Sequence, residues 1–159
     1  MSFSLKAAYI STIPGMLKIT EFLLVLIVVF TVRFGSGGHV IGIEKVGDNT
    51  YTWYKELEGI TFFVTGASFG FAVIIPAIII SYLLGASITI FEFIINLMGS
   101  IFFVSMGGAV FGKIDDYEMA NHDDFPKEVG AVGVLSIILG ILFVVDFIYL
   151  FVRNRDKLN

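Results

Sequence analysis

The chain has 159 residues, 57% hydrophobic and only 15% charged, with a net charge of −4. A soluble domain of this length needs far more charge to cover its surface, so a water-soluble fold is excluded. There is no cysteine, which removes disulfides, thiolate metal sites, thiol catalysis and palmitoylation.

Residues 1–14 form a short lead with one cation, Lys6, ending at Ile13-Pro14-Gly15. From about 16 to 34 the chain reads MLKITEFLLVLIVVFTVRF. At about 1.5 Å per residue this run spans a hydrocarbon core of roughly 30 Å. A signal peptide has a shorter apolar region followed by small residues. This run is long and ends in Val32-Arg33-Phe34, so a retained span is expected.

An outer loop follows over 35–58. In it His39–Ile43 and Thr50–Tyr54 flank the turn-forming cluster Val46-Gly47-Asp48-Asn49. Two β-prone runs around such a cluster suggest a small hairpin. The alternative is an irregular loop with Tyr51, Trp53 and Tyr54 resting at the lipid interface. Either way these aromatics are the candidate outer-loop contacts.

The second span runs over about 59–84. Pro76 lies inside it, and its ring collides with the carbonyl of Ala72, so a kink is expected there. Gly85-Ala86-Ser87 is a tight connection that makes spans two and three antiparallel neighbours. The third span covers about 88–111, an acidic outer loop 112–128, and the fourth span 129–152. The domain reading is one tetraspan unit over 1–159. Its fold class is all-α membrane, a bundle of four transmembrane helices.

Cations set the orientation of such chains. Arg153, Arg155 and Lys157 abut the last span, and an even number of spans puts both ends on one face. An N-in/C-in topology is expected, with both ends cytoplasmic.

Three acids fall inside spans: Glu21, Glu92 and Asp146. Ionisable groups in a membrane are functional candidates. Here all three lie toward the cytoplasmic leaflet, away from the midplane where transporters place coupling sites. Lys18 precedes Glu21 by three residues, on the same helical face. The expected arrangement is a structural polar layer of Lys18, Glu21, Glu92, Asn96 and Asp146, with Tyr82 also within it. A proton or ion path is the competing reading.

Small residues form stripes: Gly66 and Gly70 in span two, Gly99, Gly107 and Gly108 in span three, Gly130, Gly133 and Gly140 in span four. Helices in lipid associate where small residues let backbones approach, so these positions are expected to pack helices together. The acidic loop holds Asp115, Asp116, Glu118, Asp123 and Asp124 beside His122. Its spacing matches no calcium loop, and a solvated loop is expected. No motif for catalysis, phosphate binding or metal ligation occurs. No enzyme activity, cofactor, nucleic acid or small-molecule substrate is therefore expected.

Three segments carry a resemblance. They are Val32–Gly38, Asn96–Ala109 with its glycines, and Glu128–Gly133 running to Asp146. In these the chain resembles the snakeskin-like group of insect four-span membrane proteins and, in span order, the MARVEL-type architecture. The absent cysteines set it apart from claudins and tetraspanins. The resemblance implies a non-enzymatic scaffold at septate cell junctions, at the plasma membrane or on endomembranes. Its partners would be lipid, other integral membrane proteins or further copies of the chain. An accessory subunit of a channel, pump or transporter is the alternative, and an ion or proton conductor a third.

Overall fold

The computed structural model describes residues 7–38, 43–46, 50–53, 55–86, 88–119 and 127–158. After a 3-10 turn over Ala7–Ser11 come α1 (Ile13–Gly38), β1 (Ile43–Val46), β2 (Thr50–Trp53), α2 (Lys55–Leu83), α3 (Thr89–Met119) and α4 (Lys127–Leu158). Four helical stretches are long and apolar enough to cross a bilayer: Ile13–Phe34, Phe63–Leu83, Thr89–Gly112 and Val129–Arg155. The chain is an integral, multi-pass membrane protein built as a four-helix bundle.

The helix ends follow local chemistry. Thr12 caps α1, its hydroxyl accepting the Gly15 N–H at 3.3 Å and donating to the Tyr9 carbonyl at 2.6 Å. A threonine here satisfies a donor that the first turn leaves free. Pro14 sits in that turn, where its missing N–H costs nothing. α1 thus starts earlier than its apolar run.

α2 closes on Gly85, whose φ of 82° is open to glycine at no steric cost. The Gly85 N–H bonds the Tyr82 carbonyl and the Ala86 N–H bonds the Ser81 carbonyl, each at 2.9 Å. This pair of bonds is a Schellman cap, and it lets the chain reverse within a few residues. α2 remains helical through Pro76.

One expectation is corrected. Residues 112–119 continue α3 instead of forming loop, so Asp115, Asp116 and Glu118 stand on its final turns. Once a helix is nucleated in hydrocarbon, each added residue gains a hydrogen bond for little further ordering. His122, Asp123 and Asp124 lie outside the described residues, as do His39, Gly47, Asp48, Asn49 and Tyr54. β1 and β2 pair antiparallel, with Lys45 opposite Tyr51 and Ile43 opposite Trp53.

Each helix buries one narrow seam. On α1 it is Lys18, Glu21, Val25, Val28 and Val32; on α2, Val64, Ser68, Phe71, Ile75 and Ile78. On α3 it includes Glu92, Asn96, Phe103, Met106 and Val110; on α4, Val132, Ser136, Leu139, Phe143, Asp146 and Leu150. Steps of three and four residues recur along all four. That spacing keeps one seam facing its partners when helices run nearly antiparallel. Toward the loop end the seams meet in an aromatic core. Phe103 and Phe143 stack at 5.6 Å, and Phe71 meets both edge-on.

α3 and α4 form the most extensive contact, α1 packs against α4 and α2, and α2 meets α3 only thinly despite the tight turn. Glycines explain the first of these. A Cβ on Gly99 would run into the Phe143 ring at 2.8 Å, one on Gly107 into Ile137 at 2.6 Å, and one on Gly140 into Val104 at 2.6 Å. Gly133 lies against Val110 and Phe111. Gly130 is half-buried at the start of α4.

The other stripe residues depart from the packing expected of them. Added Cβ atoms on Gly66, Gly70 and Gly108 meet nothing within 4 Å, so these glycines do not seat a neighbouring helix of this chain. The seam residues of α2 are offset from Gly66 and Gly70, which therefore point away from the bundle axis.

This difference sets a test. Gly140→Ala is expected to lower stability by about 1–3 kcal/mol through overpacking. Gly70→Ala should change it by less than about 1 kcal/mol, because only helix propensity is altered. Reversible unfolding in mixed detergent micelles measures both.

Candidate functional site

The bundle end nearest the chain termini is polar inside. Lys18 and Glu21 come from the start of α1, Tyr82 from the end of α2, Glu92 and Asn96 from the start of α3, and Asp146 from the end of α4. Each of the buried members occupies a seam position. An apolar side chain there would simply extend the core, so the polar residues are carried inward by the helix register.

Lys18 is the centre. It is 0% exposed, as are Glu21, Asn96 and Asp146, and Glu92 is 1% exposed. Its ammonium lies 2.6 Å from Asp146 Oδ2, 2.7 Å from Glu21 Oε2 and 2.5 Å from Asn96 Oδ1. An ammonium has three donors, and these acceptors use all of them. Glu92 Oε1 stands further off, at 4.0 Å. Asn96 also donates to Asp146 Oδ2 at 3.0 Å, which aims that carboxylate. Tyr82 donates to Glu92 Oε2. Phe143 closes the loop side, its ring centroid 5.4 Å from Nζ. A cation over an aromatic face gains further when desolvated.

The sequence-level polar layer is thus brought together in full. Asp146 turns to Lys18 across the bundle, although Arg153 lies two turns along its own helix. Three oxygens within the cluster remain without a partner: Glu21 Oε1, Glu92 Oε1 and Asp146 Oδ1.

Tyr9 belongs to the site and was not legible as such. Its half-buried ring stacks on Tyr82 at 4.6 Å, covering the cluster from the terminal side. The 3-10 turn places it there, and Gly15 permits the fold-back, since a Cβ on Gly15 would strike the Tyr9 carbonyl. Burial, reinforced by the charge of Glu92, pushes the Tyr9 hydroxyl above its ordinary range, so it stays protonated and able to donate. The Thr12 cap before a proline was the available signal for that turn.

A second feature lies on the opposite half. Phe63, Gly66, Ala67, Gly70, Phe71, Ile74 and Phe102 line an apolar groove of about 410 Å³ along the α2–α3 seam. The open glycines Gly66 and Gly70 form part of its wall.

Tyr51 and Trp53, the candidate outer contacts, stand on β2. Among the described residues, no group of three or more His, Asp or Glu side chains is arranged to hold a metal ion. No protein-family model, curated protein or solved structure matches the chain.

A buried pair need not add net stability, yet removing one partner strands the other charge at a cost of about 3–5 kcal/mol. Lys18→Met and Asp146→Leu are each expected to destabilise by that order. The double variant should lose clearly less than the two single losses combined. Unfolding free energies in bicelles complete this cycle.

Proposed function

We propose that the protein is a non-enzymatic, architectural four-span membrane protein. Its outer loops and lateral faces would organise other membrane components. The observation that supports this reading is how the buried polar groups are used. Lys18, Asn96, Glu21 and Asp146 bind one another across three helices, so the charged residues act as a tie.

The rest of the described seam argues against conduction. Beyond the cluster the core is Val25, Val28, Ile75, Phe103, Leu139 and Phe143. Its buried hydroxyls are Ser68, Ser100 and Ser136. Ser100 and Ser136 bond their own helix backbones. A proton path needs titratable groups or water along its length, and among the described residues this half of the core holds no titratable side chain.

In this reading both ends face the cytoplasm, with Arg153 and Arg155 held there by the positive-inside preference. Tyr51 and Trp53 would then face the exterior, where a junctional scaffold meets its partners. Plasma membrane or cell junction is the corresponding location, in keeping with the resemblance to snakeskin-like tetraspans.

The α2–α3 groove favours a second reading, an accessory subunit of a larger membrane complex. A wall containing Gly66 and Gly70 would let a partner's helix backbone approach closely.

Purification of the tagged protein from native membranes under mild detergent tests the pair. A set of junctional membrane proteins supports the scaffold, whereas one stoichiometric transporter or channel supports the accessory role. Proteoliposomes holding the protein alone should pass protons and alkali cations no faster than empty vesicles. A flux that Glu92→Gln abolishes would sink the architectural reading.

A further inference from the structure

The charges of the buried cluster do not balance. One ammonium, Lys18, faces three carboxylates, Glu21, Glu92 and Asp146, all within 4.0 Å of it. Fully ionised, the group would hold two uncompensated negative charges in a water-excluded core. Charges buried without partners carry a large desolvation penalty, and like charges this close repel strongly at low dielectric.

Among the described residues, other nearby groups do not supply the missing positive charge inside the core. From α2, Tyr82 gives a neutral hydroxyl to Glu92. From α3, Asn96 gives a neutral amide to Asp146. From the 3-10 turn, Tyr9 stacks over Tyr82. From α4, Arg153 stands at the rim with its side chain exposed. The unpartnered oxygens of Glu21 and Glu92 are where further protons would sit. A carboxyl oxygen that carries a proton is neutral and needs no counter-charge.

We propose that the Lys18–Glu21–Glu92–Asp146 cluster is a proton-binding site that holds at least one proton beyond the Lys18 ammonium at neutral pH, reached from the terminal side only. Access on that side runs by Tyr82, half-buried and bonded to Glu92, beneath the ring of Tyr9. On the loop side Phe143, stacked on Phe103 with Phe71 edge-on to both, closes the site. The site therefore binds and releases protons toward one compartment without passing them across. It concerns the chain's own protonation and stands whether the cellular role is scaffold or subunit.

Infrared spectroscopy of the full-length protein in lipid bicelles at neutral pH tests this. Protonated carboxylic acids absorb apart from carboxylates. An acid band in the native protein that Glu92→Gln or Glu21→Gln reduces is expected. A native spectrum without an acid band overturns the proposal. So does a band untouched by Glu21→Gln, Glu92→Gln and Asp146→Asn alike. A band that appears only when sodium and potassium are removed also overturns it, because a metal cation then supplies the charge.

A second measurement needs no variant. Unfolding the native protein by detergent in weakly buffered solution at neutral pH frees these carboxyls to ionise. It should release at least one proton per chain, by the linkage between folding and protonation. No release overturns the proposal.

Discussion

Everything at the terminal end of this bundle depends on burying one ammonium. Lys18 is 0% exposed in a segment that crosses hydrocarbon. A cation there is tolerated only when its donors are matched by acceptors. The acceptors come from α1, α3 and α4, so satisfying one side chain locks the rotation and depth of three helices. Tyr82 joins α2 to the same layer through Glu92. The tie is geometric before it is energetic: a buried pair replaced by apolar residues can be just as stable. What it adds here is a single register.

Close packing does the rest, unevenly. α3 and α4 touch through Gly99, Gly107, Gly133 and Gly140, where no Cβ stands between backbone and the opposing side chain. α2 has no such seam with α3. It is held by its cap at Gly85 and by Phe71 against Phe103 and Phe143. The groove beside Gly66 and Gly70 is the consequence. A bundle with one tight face and one open face can keep its own fold while leaving a lateral surface open.

Polarity is divided along the bundle axis. Among the described residues, the buried charged side chains gather at one end of the core, and the rest of the core is valine, isoleucine, leucine, phenylalanine and methionine with a few hydroxyls. Such a layout anchors charge near one membrane surface and insulates it from the other. A scaffold and a one-sided proton site are both compatible with that division, because neither requires a path through the aromatic core.

The amino-acid sequence by itself determined the four crossings, the tight turn at Gly85 and the side on which Lys18, Glu21, Glu92 and Asp146 gather. These are legible because a helix satisfies its own backbone hydrogen bonds, so apolar length alone decides a span in lipid. Only the tertiary structure decided which acids the Lys18 ammonium takes, and that Tyr9 folds over the site. It also separated the packed glycines of α3 and α4 from the open Gly66, Gly70 and Gly108. Those outcomes depend on the rotational phase of each helix and on which neighbour it meets, and a glycine stripe reads the same whether its face is covered or bare.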